Sequence, residues 1–339
     1  MVIKADILED YIYQISPALL DALLKDHTTS TTEETRNIFW ATSDYEHFGE
    51  AYNYHAPILP HLITQDNGHI IMPRILKCKE TQISRSREMA EVFTPAWICN
   101  AQNNLIDEAW FGRKDVFNTE LYDKNGLHSW ITNHNKIEFP EGKSWKDYVK
   151  DIRLEISCGE APYLVSRYDS TTGEEIPIEK RVGLLDRKLR IVSENTTTSG
   201  EWLEWAQIAF KSTYGFEWQG DSLLIAREAL LISFIEYYKL KFGKLPLLKS
   251  LLFIAYIISW NVWQMDGLKG VVPESCSEKI IEEETLFDGR IEKRIPCEGC
   301  SKEILQRHNG IYCLIKDWNA KDPSTGRMGK RIRFIDLIK

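Results

Sequence analysis

The sequence predicts an α/β protein built on a doubly wound parallel sheet. Between Asp151 and Asp266, short segments typical of strands alternate with long segments of helical periodicity. Acidic residues follow the predicted strands, at the edge where open α/β sheets bind their ligands. We therefore expect a core domain over residues 84–270, preceded by a helical N-terminal extension (1–83) and followed by a small cysteine-containing segment (271–339).

The composition is that of an ordinary globular protein, since 43% of the 339 residues are hydrophobic and 27% are charged. The N-terminus lacks the apolar core of a signal peptide. The most apolar segment, 245–258, carries Lys249 and is too short to span a bilayer, so we expect a buried helix there. These features indicate a cytoplasmic protein without a membrane partner, whose seven cysteines are thiols or metal ligands.

The charge balance argues against strong DNA binding by this chain alone. The formal net charge is −8, whereas a free-standing DNA-binding domain usually has a basic face. Local basic patches are nevertheless compatible with this balance. Two such clusters are Lys239, Lys241, Lys244 and Lys249, and Arg327, Lys330, Arg331 and Arg333.

The first helix of the core is predicted over residues 84–110. Pro95 suits the first turn of a helix, and Trp97, Ala101 and Leu105 recur at helical spacing behind it. The preceding extension has a mixed, helix-leaning sequence. The residues that follow this helix, up to position 148, are rich in loop-forming side chains.

The central elements alternate in type. Strands are predicted at 151–156, 214–217 and 261–266, and helices at 202–210, 221–242 and 247–260.

One segment of the core is longer than the simplest topology needs. Fifty-eight positions separate Gly159 from Glu217, where a plain βαβ unit needs roughly 20–30. Residues 166–200 are therefore predicted to be an insertion, with a strand at 188–192 and a hairpin over Tyr168–Arg190 that lies over the site. Its six basic residues make a DNA-facing or partner-facing element an alternative to a solvated hairpin.

The acidic residues belong to a series that suits a nucleoside cofactor. Such a ligand needs a tight turn of small residues, a carboxylate for its ribose hydroxyls and a polar group for its adenine. The chain offers these features in that order. They are the segment Glu155-Ile156-Ser157-Cys158-Gly159-Glu160-Ala161, then Tyr214-Gly215-Phe216-Glu217, then Asn261-Val262-Trp263-Gln264-Met265-Asp266.

These segments resemble motifs I, II and III of DNA adenine-N6 methyltransferases. In motif I, Glu155 matches the acidic position, Cys158 the cysteine and Gly159 the first glycine, while Ala161 replaces the second glycine. Motif II is the most specific match, because the helix Asp221-Ser222-Leu223-Leu224-Ile225-Ala226-Arg227 follows it as the family pattern requires. Upstream, Phe93-Thr94-Pro95 resembles motif X, and the order X, I, II, III is that of the adenine-modifying class.

The resemblance implies a Rossmann-like fold that binds S-adenosylmethionine. Glu217 would accept hydrogen bonds from the ribose hydroxyls, Asp266 would bind the adenine amine, and Phe93, Thr94 and Pro95 would cover the methionine end. It also implies double-stranded DNA as the target, in bacterial restriction–modification or phage defence. Taken singly, Glu217 and Asp266 are more typical of surface carboxylates or turn caps, and it is the order of the motifs that favours a cofactor site.

The catalytic motif of this family, Asn or Asp followed by Pro-Pro and an aromatic residue, does not occur in the sequence. The nearest segment, Asp322-Pro323-Ser324-Thr325, lacks the second proline and the ring, so the catalytic residues remain unknown. A strand is predicted at 333–338, about where the strand that leads into this motif would lie. The chain was cut before the motif, a second subunit supplies it, or catalysis has been lost. DNA contact is then expected through a partner chain or a missing C-terminal part.

A cysteine-rich segment predicts a structural zinc site. Cys297, Cys300, His308 and Cys313 have the spacing C-x2-C-x7-H-x4-C, which can supply four tetrahedral ligands. Cys276 is a competing fourth ligand if His308 is not used. The alternative is a reduced, partly buried cysteine pair.

Two other functions are compatible with the sequence. The chain could be a non-catalytic cofactor-binding scaffold that assembles with a specificity, catalytic or nuclease subunit. A metal-dependent nuclease would instead need carboxylates and a lysine on adjacent strands, for which Asp169 with Asp186, Arg187 and Lys188 are candidates.

Overall fold

The structure, a computed structural model, describes residues 8–88, 91–92, 94–123, 128–285 and 289–338. Its helices are α1 (Glu9–Ile15), α2 (Pro17–Leu24), α3 (Lys79–Glu88), α4 (Ala96–Phe111), α5 (Trp145–Lys150), α6 (Leu184–Asn195), α7 (Ser199–Lys211), α8 (Gly220–Phe242), α9 (Leu248–Asn261) and α10 (Glu298–Lys302). Its strands are β1 (Lys25–Asp26), β2 (Arg36–Asn37), β3 (Asn118–Tyr122), β4 (His128–Thr132), β5 (Arg153–Glu155), β6 (Thr213–Glu217), β7 (Val262–Gln264), β8 (Lys279–Thr285), β9 (Gly289–Ile295), β10 (Leu314–Lys321) and β11 (Met328–Arg333).

The centre of the fold is a three-stranded parallel sheet in the order β5-β6-β7. In its register Leu154 lies opposite Tyr214, and Phe216 lies opposite Trp263. Parallel neighbours need long crossover connections, which α6 and α7 provide before β6 and α8 and α9 provide before β7. The α/β class and the three strands predicted from the sequence are thereby confirmed. Four two-stranded antiparallel sheets surround this centre in the described part of the chain.

The long helix α8 forms the middle of the core because it is buried on nearly all sides. Phe234 and Tyr238 pack against Trp202 of α7, and Trp202 is fully buried. Each buried side chain of this size contributes roughly 1.5–3 kcal/mol through the apolar area that it removes from water. Helix α7 begins where the Thr198 hydroxyl accepts a hydrogen bond from the backbone N–H of Glu201.

The predicted strand at 188–192 is wrong, because these residues lie within α6. Leu185, Leu189 and Val192 are fully buried at helical spacing, and this stripe packs into the core. Lys188 is fully buried as well, so the alternation of polar and apolar residues does not mark two faces of a strand. The predicted hairpin reduces to a single bridge between Tyr168 and Glu175.

The strand predicted at 333–338 is also largely wrong. Strand β11 ends at Arg333, and the next residues, Phe334–Leu337, form a single turn of 3-10 helix. Ile335 is buried while its neighbours Asp336 and Leu337 are exposed. A strand with one buried face would bury every second residue, whereas one buried residue in four suits a single helical turn.

The N-terminal extension packs against the core rather than apart from it. Leu19, Leu20 and Leu23 are fully buried in the same hydrophobic cluster as α8 and α9. The Arg227 guanidinium of α8 donates to the backbone carbonyls of Leu23, Lys25, Ser259 and Val262. This fully buried side chain therefore joins the extension to the end of α9 and the start of β7.

A buried ionic cluster holds the rest of the extension in place. The Asp221 carboxylate, at the start of α8, binds the Lys77 ammonium at 2.7 Å and the Arg85 guanidinium at 3.0 Å. It also accepts a 2.8 Å hydrogen bond from the Tyr45 hydroxyl. Burial raises the pKa of Asp221, but Arg85 and Lys77 outweigh this effect and hold it well below its usual value. Arg85 extends the cluster to Asp44 and to Glu91.

The remaining C-terminal elements are two hairpins, β8–β9 and β10–β11. The side chains of Val272, Cys313 and Ile315 form a second hydrophobic cluster with Phe216 and Trp263 of the central sheet. The C-terminal segment is thereby fixed to the sheet. Within the described residues, no helix combines the length and the apolar character that a membrane crossing requires.

Replacing Asp221 with alanine should lower the free energy of unfolding by about 3–5 kcal/mol, because Lys77 and Arg85 would stay buried without their anion. Urea denaturation measures this loss. The matched control is Asp21→Ala, an exposed aspartate on α2, which should change the value by less than about 0.5 kcal/mol.

The same contribution should depend on pH. The pKa of Asp221 in the folded chain lies below the unfolded value of 3.8, so its stabilisation is present above about pH 4 and is lost at lower pH. The difference between the wild-type chain and Asp221→Ala should accordingly shrink on acidification. Equal stability of the two at neutral pH would contradict this assignment.

Candidate functional site

The acidic residues singled out in the sequence lie together at one edge of the parallel sheet. Glu155 is the last residue of β5, Glu217 is the last residue of β6, and Asp266 comes two residues after β7. Because the strands are parallel and adjacent, their carboxyl ends share this edge. Glu217 lies at the centre, since β6 is the middle strand.

The loop after β5 is the tight turn that the sequence predicted. Ser157, Gly159 and Ala161 all have positive φ, at 49°, 53° and 59°. The turn is closed by a 2.7 Å hydrogen bond from the Ala161 N–H to the Cys158 carbonyl. Ala161 thus adopts the left-handed conformation for which glycine is favoured, at some cost in strain. The alanine therefore does not change the path of the loop.

Glu217 joins this loop to the central strand. One carboxylate oxygen accepts a 2.8 Å hydrogen bond from the Gly159 N–H, and the other accepts bonds from the N–H groups of Trp218 and Gln219. Burial raises the pKa of Glu217 above its usual value, although these three backbone bonds act in the opposite direction. Oε1 already accepts two bonds and Oε2 accepts one, so one lone pair, on Oε2, remains for a ligand.

Glu155 is a second buried carboxyl group beside it. One oxygen accepts a 3.3 Å bond from the Tyr163 N–H, while Oε2 has no hydrogen-bond partner among the described residues. Burial raises the pKa of Glu155 well above its usual value, and the nearby charge of Glu217 raises it further. Buried polar atoms are usually paired, so this oxygen suits a donor or cation from outside the chain.

Asp266 has a local structural role in the described structure. One of its oxygens accepts hydrogen bonds from the N–H groups of Leu268 and Lys269, and the other lies 3.1 Å from the Lys269 ammonium. The carboxylate therefore caps the turn that follows β7. Leu268, at the tip of this turn, is 92% exposed.

The segment resembling motif X lies beside the β5 loop. Phe93 is outside the described residues. The Thr94 side chain lies near Tyr163, which follows the loop, and the Thr94 carbonyl accepts a 2.8 Å hydrogen bond from the Ser170 hydroxyl. Pro95 occupies the position immediately before α4. The described part of this segment thus lies next to Glu155 and its loop.

The candidate nuclease residues do not form a common site. Asp169 caps α4 by accepting a 2.7 Å hydrogen bond from the Ala96 N–H. Asp186 accepts a bond from the Ser166 N–H, Arg187 pairs with Asp107, and Lys188 donates to the Ser212 carbonyl and hydroxyl. All three consecutive residues belong to a helix, and each makes a separate buried contact. The adjacent strands that such a nuclease needs are therefore not provided by them.

The extension covers part of the sheet edge, which the sequence did not predict. The amide of Gln264, at the end of β7, exchanges hydrogen bonds with the Phe39 backbone at 2.9 and 3.1 Å. The Trp218 indole donates a 2.9 Å bond to the Tyr54 hydroxyl. Both contacts join positions that are far apart in the sequence. Only the position of Trp218 directly after Glu217 would have pointed to it as a site residue.

Glu160 is a further residue that sequence reasoning missed. It is buried next to Gly159, and its two oxygens accept hydrogen bonds from the Arg74 N–H at 2.7 Å and the Tyr168 hydroxyl at 2.5 Å. Burial raises its pKa above the usual value. Its role is to attach the β5 loop to the extension.

A separate cluster can hold a metal ion. One ligand atom each from Cys276, Cys297, Cys300 and His308 lies within 4.8 Å of all the others. The three sulfurs are 3.6, 3.8 and 3.5 Å from the His308 Nδ1. A tetrahedral Zn²⁺ with ordinary bond lengths places sulfur and nitrogen ligands about 3.6 Å apart. The geometry therefore fits a zinc ion or a similar metal.

The fourth ligand of this cluster is Cys276, whereas the sequence favoured Cys313 and kept Cys276 as the competing choice. Cys276 comes shortly before β8 and Cys297 shortly after β9, so the antiparallel hairpin brings them together at its base. The Tyr312 hydroxyl accepts a 2.8 Å hydrogen bond from the His308 N–H. Its neighbour Cys313 is fully buried in the second hydrophobic cluster, with Sγ 3.3 Å from the Gln264 carbonyl oxygen.

The local backbone supports ligand binding at this cluster. The Asn309 N–H donates a 3.2 Å hydrogen bond to the Cys297 sulfur. Burial opposes ionisation of Cys297, but this bond, the Cys300 N–H and His308 together lower its pKa to about 6. Gly299 is needed for space, since a Cβ there would lie 2.6 Å from the His308 backbone nitrogen. Thiolate is the form that binds metal.

We expect close to one zinc ion per purified chain, and Cys276→Ser should remove most of it. Cys313→Ser and Cys78→Ser are matched controls, one buried and one exposed, that should retain the metal. Inductively coupled plasma mass spectrometry after dialysis against a weak chelator measures the content. Metal lost in Cys313→Ser but retained in Cys276→Ser would contradict the assignment of Cys276 as the fourth ligand.

Comparison with known proteins adds no further information on this site. The chain matches no family model, no curated protein and no solved structure. Its function must therefore be inferred from its residues and their geometry.

Proposed function

We propose that the chain binds S-adenosylmethionine at the carboxyl edge of the β5-β6-β7 sheet, as the cofactor-binding part of a DNA adenine-N6 methyltransferase. The proposal depends on one observation above all. The hydrogen bond from Gly159 to Glu217 joins the segments that resemble motifs I and II, on adjacent parallel strands. A tight turn and a carboxylate, which a nucleoside cofactor needs, are thus in direct contact.

The topology supports a doubly wound, Rossmann-like sheet as the finer description of the core. The strands carrying motif-like segments I, II and III follow each other across the sheet, with the second in the middle. Pairs of helices connect them, as parallel strands require. In such sheets the ligand lies beyond the carboxyl ends of the strands, where these acidic residues are found.

The chemistry of the side chains also suits this cofactor. Glu217 has one unused lone pair, on Oε2, that can accept a hydrogen bond from a ribose hydroxyl. S-adenosylmethionine carries a sulfonium and an ammonium group, and their positive charge would favour the ionised form of Glu155, whose pKa burial raises. Asp266 Oδ2 contacts only the Lys269 ammonium among the described residues. This oxygen is therefore the one that would bind the adenine amine. Thr94 and Pro95 lie on the loop side of this edge.

The proposal assigns cofactor binding to this chain and leaves the target base to other residues. The Asn-Pro-Pro-aromatic tetrapeptide that binds the target amine in this family is absent from the sequence. A partner chain or another part of the protein would then supply it. The same absence favours a second candidate function, a cofactor-binding scaffold in a defence complex, which makes the same prediction for S-adenosylmethionine binding.

Replacing Glu217 with glutamine should weaken S-adenosylmethionine binding roughly 10-fold to 100-fold, because the ribose loses a charged acceptor worth about 1.5–3 kcal/mol. Glutamine has one acceptor oxygen in place of two, so it can keep either the bond from the Gly159 N–H or those from Trp218 and Gln219. Isothermal titration calorimetry measures the dissociation constant. The matched control is Glu204→Gln, an exposed residue on α7, which should bind like the wild-type chain.

No binding to the wild-type chain would contradict the proposed function, and so would equal affinities for wild type and Glu217→Gln. Thermal denaturation of each variant separates a loss of affinity from a loss of fold. Binding by the wild-type chain without methyl transfer to DNA is the expected behaviour of this chain alone.

The affinity should also depend on pH. Burial raises the pKa of Glu217, so its carboxylate is protonated at a higher pH than that of an ordinary glutamate. Binding that uses the carboxylate should weaken as the pH falls, and the loss should begin at a pH above the range in which an ordinary glutamate is protonated. In Glu217→Gln this dependence should become flatter. A pH profile that is identical in both proteins would show that Glu217 does not contribute through its charge.

A further inference from the structure

The β10–β11 hairpin is basic, although the chain as a whole is acidic. Residues 314–333 contain six lysine or arginine residues and two aspartates, a net charge of +4, whereas the whole chain carries −8. The side chains of Lys321, Arg327, Lys330 and Arg331 are exposed. Within the described residues, none of these four forms an ion pair. A free cationic surface is therefore concentrated at the outer half of one hairpin.

The two aspartates of the hairpin are engaged by its own backbone. Asp322 accepts hydrogen bonds from the N–H groups of Ser324 and Thr325, and these bonds build the turn between the strands. Asp317 accepts a bond from the Asn319 N–H, beside an irregularity in the strand pairing. Among the described residues, neither carboxylate forms an ion pair with the cations. The acidic residues thus shape the hairpin while its lysines and arginines stay available for a partner.

The base of the hairpin is firmly attached to the body of the protein. The Leu314 N–H donates to Thr28, the Tyr214 hydroxyl donates to the Lys316 carbonyl, and the Trp318 indole donates to Asn261. Lys316 itself is not part of the free surface, because its ammonium packs over the rings of Trp318 and two residues of α9. The residues beyond Trp318 therefore project from a fixed support.

We propose that this hairpin binds the backbone of double-stranded DNA, with the tip inserted in the major groove. The identity of the partner rests on the proposed function, whereas the cationic surface is present whether or not that function is correct. A two-stranded ribbon is one of the elements that the major groove, about 12 Å wide, admits. The three residues of β10 beyond Trp318 extend about 10 Å, slightly more than the groove depth of about 8.5 Å.

The composition of the tip favours DNA over a membrane surface. Between Lys321 and Arg327 the sequence is Asp-Pro-Ser-Thr-Gly, without the aromatic or large aliphatic side chains that insert into lipid. The Thr325 hydroxyl accepts a hydrogen bond from the Arg327 N–H, and its own hydrogen is a suitable donor to a phosphate oxygen. The local positive charge of the hairpin also favours a polyanion as its partner, even though the chain as a whole is acidic.

The test compares two triple variants of the full chain. The first carries Lys321→Glu, Arg327→Glu and Lys330→Glu in the hairpin. The matched control carries Lys239→Glu, Lys244→Glu and Lys249→Glu, which are exposed at the end of α8 and around the start of α9 and change the net charge equally. Fluorescence anisotropy with a labelled duplex of about 30 base pairs measures the dissociation constant over a series of low salt concentrations.

The hairpin variant should bind DNA at least tenfold more weakly, and the slope of its salt dependence should fall by roughly three, about one for each lost phosphate contact. The control should bind within about threefold of wild type. Calorimetry with S-adenosylmethionine, measured separately, should give the same affinity for both variants. Hence a failure of the cofactor proposal and a failure of the hairpin proposal are distinguishable.

Three results would overturn the hairpin proposal. These are no measurable duplex binding by the wild-type chain at low salt, an equal loss in both variants, and tighter binding to anionic lipid vesicles than to the duplex. Circular dichroism and thermal denaturation check that each variant is folded. Because the changed side chains are exposed, we expect no loss of stability beyond about 0.5 kcal/mol per substitution.

Discussion

The contact of Asp221 with Lys77 and Arg85 is the interaction on which the site depends. Each of these buried ions loses several kcal/mol of hydration on folding, so it needs opposite charges beside it. Asp221 pairs with both cations, and Asp44 and Glu91 supply further negative charge to Arg85. Asp221 lies at the start of the helix that follows the central strand, and two of its partners, Lys77 and Tyr45, belong to the extension. The pairing therefore fixes the extension over the sheet edge that carries Glu217.

The carboxyl groups at the sheet edge lack the cationic partners that the Asp221 cluster has. Glu155 and Glu217 are both buried and both have raised pKa values, and no lysine or arginine pairs with either in the described structure. The backbone N–H groups bound to Glu217 satisfy its hydrogen-bonding capacity only in part. An edge of this kind is stabilised by a ligand that brings donors and positive charge, and this is the physical reason for favouring a cationic nucleoside over a phosphate.

Prediction from the sequence succeeded where a pattern is local and repeated. Helix α8 could be predicted because its apolar residues persist over 23 positions, and β6 because two aromatic residues flanking a glycine precede an acid. The same reasoning failed for α6, where buried Lys188 imitates the polar face of a strand. Its ammonium is satisfied by the Ser212 carbonyl and hydroxyl, contacts between distant parts of the chain that no local pattern contains.

The candidate sites were predictable to a similar extent. Spacing identified Glu155, Gly159 and Glu217 as neighbours, because strand ends in a parallel sheet must meet. Spacing could not decide between Cys276 and Cys313, since that choice depends on which side chain the β8–β9 hairpin brings back to Cys297. The cover provided by the extension was also beyond prediction, because no local pattern indicates contacts made across such separations.

The C-terminal segment couples three features that are separate in the sequence. The Cys313 N–H binds the Gly270 carbonyl, and the Asp266 N–H binds the Val271 carbonyl, so the chain leaving the cysteine cluster supports the turn that Asp266 caps. The next residues enter β10, which carries the basic hairpin. A metal at Cys276, Cys297, Cys300 and His308 would restrain this segment at its beginning. Its effect would therefore reach both the sheet edge and the hairpin base without contact with either.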